Sequence, residues 1–265
     1  MHHVILRHGG FLFAPGRLPR RSRRPRPAAV APVAICRTHP EVRIVTAPRI
    51  LIFANGILPD LEAARRLIQP RDLIICADGG ARHAVALGLT PDTLIGDLDS
   101  LEDVERAGML AAHVEVRQYP QDKDQTDLEL ALNCALEHES AAIVVVGALG
   151  ARLDHTLGNI SLLADARLAG RNCCLDDGIE RVLLCRDHVE IRGAPADLVS
   201  LIPWDGPAAG VLTEGLRWPL NGETLLPERS RGISNEMLSD TAHVRIRTGI
   251  LLVVHRRVTQ PAASD

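Results

Sequence analysis

The sequence predicts an α/β protein, with a mostly parallel, Rossmann-like three-layer domain followed by an all-β sandwich. From residue 49, short apolar runs alternate about five times with helix-spaced segments, as in an open sheet covered on both faces. After about residue 172 only short strand-like pieces remain, separated by Gly, Pro and Asn. We therefore expect an α/β domain over 49–172, a β-sandwich over 173–258 and a tail over 259–265.

Each element of the α/β half is predicted from its own pattern. The predicted strands are RILIFAN, DLIICAD, DTLIGDLDS, VEVRQYP and AAIVVVGALG, and the predicted helices are LPDLEAARRLI, ARHAVALG, TDLELALNCALEH and LDHTLGNISLLADARLAG. Asp60 suits the first turn of the first helix, and Gly88 closes the second helix. The predicted sandwich strands are RVLLC, HVEIR, DLVSLIP, GVLTEGLRWPL, HVRIRTG and ILLVVHR. Trp218 is expected in the core of the sandwich.

Composition narrows the class of protein. A hydrophobic share of 46% and a charged share of 24% are ordinary for a globular protein, and the 2% of aromatic residues predicts an aliphatic core. No stretch reaches the roughly 20 apolar residues that span a bilayer, so we expect no membrane partner. The six cysteines form no CxxC pair and most of them sit in apolar surroundings, which favours free thiols, a cytoplasmic location and a site without zinc.

Residues 1–48 are predicted to be a disordered, Arg/Pro-rich extension, excluded from the fold. A transit peptide and translated sequence upstream of the true start are the alternatives. Residues 1–40 carry eight arginines and no acid, so the remaining 225 residues carry a net charge of −11. This acidic body argues against nucleic acid as the main partner.

Acidic residues and glycines follow the predicted strands at the edge where an open α/β sheet binds ligands. Asp97 and Asp99 are two apart, so in an extended strand they would point the same way, roughly 6 to 7 Å apart. With Asp127, and Asp78 or Asp124, they would form a cluster that needs a cation. Oxygen ligands without His or Cys favour Mg²⁺.

Lys123 is the only lysine in the chain and lies between two aspartates in PQDKDQTDL. Its compact ammonium suits a place beside phosphates that the acids bridge to Mg²⁺. Arg152, after GALGA, is a second candidate for phosphate. Glycines at strand ends allow close approach of phosphate, although no Walker-type GKS or GKT is present. The pattern indicates a magnesium–nucleotide site.

Five segments resemble thiamine pyrophosphokinases in their order and spacing: ADGGA (77–81), LIGDLDS (94–100), YPQDKDQTDLELAL (119–132), GALGARLDHTLGN (147–159) and RGISNE (231–236). The resemblance covers about residues 49–255. It implies Mg²⁺-dependent transfer of a pyrophosphoryl group from ATP to the hydroxyl of thiamine, giving thiamine diphosphate and AMP. It also implies a homodimer whose active sites lie between the subunits.

The resemblance further implies roles for single residues. It implies Asp97, Asp99 and Asp127 as metal ligands and, with Lys123, as catalytic residues. The implied ATP- and phosphate-binding residues are Asp78, Gly79, Gly80, Lys123, Asp124, Thr126 and Arg152. The implied substrate-binding residues are Asp154, Ser234 and Asn235. Met237 and Leu238 stand where some family members carry an aromatic residue that stacks on thiamine.

Two alternatives remain open at this point. One is a pyrophosphokinase for another heterocyclic alcohol, such as a hydroxymethylpterin, and the other is a non-catalytic nucleotide-binding module. GISNE favours thiamine, and the complete acid set favours an enzyme. The identity of a general base also stays open between Asp99 and Asp127. His83 and His138 are predicted on helix surfaces, and His155 at a helix terminus.

Overall fold

A computed structural model describes residues 47–100, 107–109, 111–150 and 152–258. The predicted extension up to residue 46 and the predicted tail over 259–265 lie outside the described residues. In the part of the chain that the structure describes, no helix is long and apolar enough to cross a membrane.

Six parallel strands form the first half of a large sheet. Their order is β4-β3-β2-β1-β5-β6, so β1 lies centrally with β2 on one side and β5 on the other. The central strands are buried, continuous apolar runs such as ILIF and IVVV, as expected where both faces are covered, whereas the edge strand β4 has the polar sequence EVRQ. Their bounds are β1 Ile50–Phe53, β2 Leu73–Ala77, β3 Thr93–Gly96, β4 Glu115–Gln118, β5 Ile143–Val146 and β6 Cys173–Asp176.

Helices cover both faces of this half, which confirms the predicted three-layer α/β class. Ile50 and Ile52 of β1 pack in a cluster with the helices on one face, and Leu51 and Phe53 pack in a second cluster on the other face. The first cluster receives α3 (Asp127–Leu136) and α4 (Leu153–Leu162), and the second receives α1 (Leu61–Arg65) and α2 (Ala81–Ala86).

Helix ends follow the chemistry of their capping residues. Asp60 is the N-cap of α1, and its carboxylate accepts hydrogen bonds from the backbone N–H groups of Glu62 and Ala63. Gly88 follows α2 with φ of 79°, the left-handed conformation that a residue after a helix commonly adopts.

The sheet continues without interruption into the second half. From β6 the strands turn antiparallel, in the order β7-β14-β9-β12, so a single ten-stranded sheet joins both halves. A four-stranded antiparallel sheet, in the order β11-β10-β13-β8, supplies the second sheet of the sandwich. The bounds are β7 Glu180–Cys185, β8 His188–Arg192, β9 Leu198–Pro203, β10 Ala208–Glu214, β11 Asn221–Leu225, β12 Asn235–Glu236, β13 Thr241–Arg245 and β14 Leu251–Arg256.

The sandwich core lies between these sheets and is almost entirely aliphatic. Val199 and Val253 of the long sheet and Val211 and Val244 of the short sheet all have no exposed surface. Full burial of such a side chain contributes about 1.5–3 kcal/mol. This arrangement confirms the predicted antiparallel sandwich.

Strand β6 was not among the predicted strands. It pairs in parallel with β5 through Ile143 and Cys173, so the parallel part of the sheet extends as far as Asp176. The segment NCCLD is short, and its apolar and polar residues hardly alternate. Its sequence therefore does not distinguish a buried strand from the end of the preceding helix.

Candidate active site

A cleft of about 370 Å³ opens at the carboxyl ends of the central parallel strands. Because β2 and β5 flank β1 on opposite sides, the order of the strands reverses there, and open α/β sheets bind ligands at such a point. Its lining includes Asn55 and Gly56 after β1, Asp78 after β2 and Gly147 after β5. The cleft therefore occupies the edge of the sheet that the sequence analysis predicted.

Three carboxylates meet beside the cleft. Asp78, Asp97 and Asp127 each place one oxygen within 4.8 Å of the others. Asp78 follows β2, Asp97 follows β3 and Asp127 opens α3, so the topology gathers residues that are distant in sequence. At an effective dielectric of about 20, two unit charges at this separation repel by about 3 kcal/mol. The cluster therefore has a strong electrostatic requirement for positive charge.

The backbone around the cluster is unusual. Asp78 has φ of 46° and Gly96 has φ of 149°. A Cβ atom at Gly96 would lie 3.1 Å from both Asp127 Oδ1 and Asp78 Cβ, so glycine allows the two aspartates to converge. Backbone conformations that are costly for a side-chain-bearing residue often occur at functional sites.

Lys123 supplies a positive charge to the cluster. Its Nζ lies 3.1 Å from Asp127 Oδ1 and 3.4 Å from Asp97 Oδ2. The lysine side chain is 15% exposed, so the ion pair is only partly screened by solvent. Asp127 itself begins α3, where Thr126 is the N-cap and accepts a hydrogen bond from the Glu129 N–H. The segment KDQTD thus orients both the lysine and one aspartate through a single helix start.

The ionisation of these groups reflects their environments. Burial raises the pKa of Asp127 above its usual range, and Lys123 offsets only part of this effect. The backbone N–H of Asp99 hydrogen-bonds to Asp97 and lowers the pKa of Asp97. Burial opposes the charge on Lys123, but Asp127 and Asp97 outweigh it and raise the pKa of Lys123. The lysine is therefore charged at neutral pH.

The donor set fits a hard divalent cation. Asp78 Oδ1 is buried and has no hydrogen-bond partner in the described part of the chain. Asp127 Oδ1 is also buried and contacts the Lys123 ammonium at 3.1 Å, so both carboxylates keep lone pairs open to a cation at one place. Mg²⁺ prefers carboxylate and water oxygens and uses few protein ligands. The three aspartates satisfy this preference.

Asp99 lies outside the group of three. Strand periodicity predicts that Asp97 and Asp99 point the same way, and this prediction was wrong. Strand β3 ends at Gly96, and Leu98 has φ of 65°, so the chain turns between the two aspartates. The Asp99 side chain is instead held by Gln121, whose Nε2 donates to Asp99 Oδ2 at 2.8 Å.

The other residues predicted to bind phosphate differ in whether they line the cleft. Arg152 lines the cleft but is paired with Asp154, with Arg152 Nη2 2.6 Å from Asp154 Oδ2, and both side chains are exposed. Asp124 is exposed and does not line the cleft. Gly79 and Gly80 are buried in the turn after β2, where a Cβ atom would collide with Asn55 and Phe53 respectively. Because these two glycines have no side chain, the ends of the strands can pack closely.

The predicted substrate residues of the sandwich do not line this cleft. Ser234 has φ of 57°, and its N–H donates to Ser200 Oγ at 3.0 Å. Asn235 is 6% exposed and fixes the backbone of Trp218, accepting from Trp218 N–H at 3.0 Å and donating to Trp218 O at 2.7 Å. Asn235 therefore shapes the surface that Ser234 and Trp218 form.

Trp218 corrects a second expectation. It was predicted in the sandwich core, but it is 53% exposed and lies in the connection between β10 and β11. The guanidinium of Arg217 lies 5.0 Å from the centre of the Trp218 ring. Arg217 is paired in turn with Glu236, so the ring is presented beside Asn235 rather than buried.

Some cleft residues were not identified from the sequence. Gln121, Gln125, His155 and Asn159 line the cleft. Asn159 Nδ2 donates to Ala148 O at 2.8 Å and so fixes the loop after β5. The two glutamines belong to the segment PQDKDQTDL, where the charged residues dominated the interpretation. A further correction concerns His83, which is not simply a surface residue of α2, because its Nε2 lies 2.8 Å from Gly56 O.

Taken together, the switch-point cleft, the oxygen-only acid cluster and the adjacent lysine define an α/β protein with a site suited to a divalent cation and phosphate. Comparisons with known proteins identify its family. Residues 64–175 match the family model for the thiamin pyrophosphokinase catalytic domain, and residues 188–251 match that for the thiamin pyrophosphokinase vitamin B1 binding domain. The chain belongs to the thiamin pyrophosphokinase family, as the sequence motifs predicted.

Individual relatives agree with this membership. The chain is 29% identical to the thiamine pyrophosphokinase of Bacillus subtilis over 217 residues, covering 77% of this chain and 97% of the relative. It is 30% identical to thiamine pyrophosphokinase 3 of Oryza sativa over 200 residues, covering 66% and 74% of the two chains. The crystal structure of the Bacillus subtilis protein superposes with a TM-score of 0.72, at 28% identity, over 79% of this chain and 99% of that one.

Proposed function

We propose that the protein transfers a pyrophosphoryl group from ATP to the hydroxyl oxygen of thiamine, with Mg²⁺, giving thiamine diphosphate and AMP. The observation that carries the proposal is the convergence of Asp78, Asp97 and Asp127 beside Lys123 at the carboxyl edge of the sheet. This cluster stands in a chain of the thiamin pyrophosphokinase family, whose curated relatives bear the name of the same activity.

In this proposal Asp78, Asp97 and Asp127 hold Mg²⁺, and Asp99 shapes the turn that positions Asp97. Bound Mg²⁺ supplies positive charge that neutralises the phosphate oxygens of ATP. The residues of the chain contribute position and charge, because transfer of a phosphoryl group needs in-line alignment more than covalent help. A general base contributes little when the transition state is loose, so no residue is assigned as the base.

Lys123 has a defined place in this scheme. Its ammonium contacts the same two carboxylates, Asp97 and Asp127, that face the cation. If these carboxylates held the cation, the Lys123 ammonium would be available to contact the phosphate oxygens. Arg152 at the cleft mouth is exposed and can exchange its exposed partner Asp154 for phosphate at small cost, since solvent screens an ion pair at the surface.

We further propose that thiamine is bound between two subunits, with the α/β half providing the nucleotide site and the sandwich half providing Ser234, Asn235 and Trp218. Two observations support this. The sandwich residues do not line the cleft of their own subunit. Helix α4 beside the cleft buries only Ile160 among its described residues, and leaves Leu153 and Leu157 73% and 48% exposed. A partner subunit would cover this apolar face.

A cytoplasmic location is part of the same proposal. The five cysteines that the structure describes are unpaired, and burial raises the pKa of the Cys185 thiol to about 11. Thiols of this kind are inert packing groups that suit a reducing compartment.

The proposal is tested by incubating the purified protein with ATP, Mg²⁺ and thiamine and resolving the products. We expect AMP and thiamine diphosphate in equal amounts. ADP with thiamine monophosphate would show attack at the γ-phosphorus and overturn the assigned reaction. Turnover of a hydroxymethylpterin in preference to thiamine would overturn the assigned acceptor. Nucleotide binding without any product would favour a non-catalytic module.

A further inference from the structure

A second cavity, of about 750 Å³, lies at the opposite edge of the parallel sheet from the acid cluster. Arg49, Asp72, Ala142 and Asn172 line it, and they directly precede strands β1, β2, β5 and β6. It is therefore formed at the amino ends of these strands, whereas the cleft lies at their carboxyl ends. We call it the arginine pocket, because five arginines line it: Arg49, Arg66, Arg71, Arg181 and Arg257.

Two of these arginines are neutralised by the two acids that line the pocket. Arg49 Nε donates to Asp72 Oδ1 at 2.9 Å and its Nη2 donates to Asp72 Oδ2. Arg257 makes a similar pair of bonds to Asp176, at 2.8 and 2.9 Å. The side chains of the two aspartates are only 3% and 5% exposed, so these pairs are part of the pocket wall.

The three other arginines form no ion pair with the acids that line the pocket, in the part of the chain that the structure describes. In the described part of the chain, the side chains of Arg66 and Arg71 have no hydrogen-bond or ion-pair partner, and both residues are exposed. Nε of Arg181 is buried and has no hydrogen-bond partner there. A buried donor without a partner is costly and is usually explained by a ligand or water that the site receives.

The pocket gathers five arginines on a chain whose remaining part is acidic, since residues 41–265 carry a net charge of −11. Arginines elsewhere on the surface, such as Arg117, Arg167 and Arg231, are paired with acids 2.5–2.8 Å away. Arg71 also has φ of 72°, a conformation that glycine or asparagine adopts at lower cost than arginine. The turn between α1 and β2 therefore has no conformational reason to carry an arginine.

We propose that the arginine pocket is a second anion-binding site, which takes an organic phosphate or pyrophosphate. Guanidinium groups match phosphate oxygens through paired hydrogen bonds, and three of them can neutralise a pyrophosphoryl group. The volume lies within the range of small-molecule sites. The site needs no divalent cation, because its charge comes from arginine. The acid cluster, in contrast, repels phosphate when no cation is bound.

This difference gives a direct test by calorimetric titration of the full chain with inorganic pyrophosphate in excess EDTA. We expect the wild-type protein to bind. The double variant Arg66→Gln/Arg71→Gln is expected to bind at least about tenfold more weakly, since it removes two of the three arginines that form no ion pair in the pocket. Both side chains are exposed and unpaired, so this variant is expected to keep the thermal midpoint of the wild type.

Two controls localise the binding. The double variant Arg229→Gln/Arg245→Gln changes the net charge equally at exposed sandwich residues, and it is expected to bind pyrophosphate like the wild type. Lys123→Met removes the lysine of the cleft, and it is also expected to bind like the wild type. AMP added as a competitor reports whether a nucleoside monophosphate shares the site, and displacement of pyrophosphate by AMP would support an organic phosphate as the ligand.

Three outcomes would overturn the proposal. The wild-type protein could fail to bind pyrophosphate in EDTA at millimolar concentration. The Arg66→Gln/Arg71→Gln variant could bind as tightly as the Arg229→Gln/Arg245→Gln control. Lys123→Met could abolish binding, which would place the pyrophosphate in the cleft. None of these outcomes bears on turnover of thiamine, so failure here is separate from failure of the proposed reaction.

Discussion

Nζ of Lys123 lies 3.1 Å from Oδ1 of Asp127, four residues later, at the point where α3 begins. The same ammonium lies 3.4 Å from Asp97 Oδ2. In the proposed function, Lys123 and the divalent cation would therefore share the same two carboxylates. This shared demand explains why a chain that otherwise uses only arginine keeps a single lysine here, since a compact ammonium fits between two carboxylates where a planar guanidinium does not.

The first prediction concerns the acid cluster. Asp127→Asn is expected to lower turnover by more than about 100-fold, because it replaces one of three converging carboxylates by an uncharged amide. Folding is expected to persist, since burial already disfavours the charged form of Asp127 and raises its pKa. Steady-state kinetics with thiamine and ATP would measure the loss. Asp122→Asn, at an exposed position in the same segment, is the matched control and is expected to keep wild-type turnover. Retention of more than about a tenth of the wild-type rate by Asp127→Asn would contradict the metal site.

The second prediction concerns competition between Lys123 and the cation. Without Lys123, the metal-free carboxylates repel one another without compensation, so Mg²⁺ is expected to stabilise Lys123→Met more than it stabilises the wild type. The measurement is the thermal midpoint of each protein in EDTA and in excess Mg²⁺. Lys123→Arg keeps the charge and is expected to show a smaller Mg²⁺-dependent shift than Lys123→Met. Equal shifts in all three proteins would show that the lysine and the cation do not share carboxylates.

Much of this arrangement was predictable from the sequence, and the remainder depends on tertiary packing. Alternating buried strands and helices predicted the topology, and the topology in turn predicted which strand ends would meet. The Asp97–Asp99 geometry was not predictable from strand periodicity, because Leu98 is buried in the core and the chain turns around it with φ of 65°. That turn directs Asp99 to Gln121 and leaves Asp78 as the third member of the cluster.

In the sandwich half, too, local sequence patterns did not predict where a side chain lies. GLRWPL has the apolar character of a strand, but the chain leaves β10 at Glu214 and the segment becomes a connection, so Trp218 is exposed. The buried side chain of Asn235, 17 residues later, fixes this connection through two hydrogen bonds to the backbone of Trp218. A local sequence pattern does not reveal a hydrogen bond between residues so far apart in the chain.

The third prediction concerns acid stability and the buried pair of His255 and Asp197. His255 Nε2 lies 2.8 Å from Asp197 Oδ2, and the two side chains are 1% and 4% exposed. Burial lowers the pKa of His255, despite the opposing effect of Asp197, and Arg257 and Arg181 lower it further. For Asp197, burial acts in the opposite direction, but hydrogen bonds from Val258 N–H, His255 and Ala194 N–H lower its pKa on balance.

Both shifts make the fold less stable in acid. Below the ordinary histidine value of 6.5 the unfolded chain binds a proton that folded His255 resists, so this stability is present above 6.5 and is lost as the pH falls. Asp197 adds stability that is present above 3.8 and is lost as the pH falls further. Each proton changes the free energy of unfolding by at most about 1.4 kcal/mol per pH unit.

Chemical denaturation at a series of pH values measures this dependence. His255→Gln keeps a donor for Asp197 but does not titrate, and it is expected to flatten the slope between neutral and mildly acidic pH. His113→Asn, at an exposed position with φ of 62° that asparagine tolerates, is expected to leave the slope unchanged. An unchanged slope in His255→Gln would mean that this pair does not set the acid stability.

The last prediction separates two neighbouring residues of the proposed thiamine surface. Asn235→Ala is expected to lower the free energy of unfolding by about 2–3 kcal/mol, because its buried amide makes three hydrogen bonds, two with the Trp218 backbone and one with Glu236 N–H. Ser234 is exposed, so Ser234→Ala is expected to change stability by less than about 0.5 kcal/mol. Urea denaturation measures both.

Kinetics then distinguish a structural role from contact with substrate. If Ser234 faces thiamine from the partner subunit, Ser234→Ala raises the KM for thiamine without changing stability or the KM for ATP. Asn235→Ala is expected to raise the KM for thiamine as well, but only together with its loss of stability, because it displaces the surface that Ser234 and Trp218 form. A Ser234→Ala enzyme with wild-type KM for thiamine would contradict the placement of the acceptor on the sandwich, whereas the acid cluster and its test with Asp127→Asn would be unaffected.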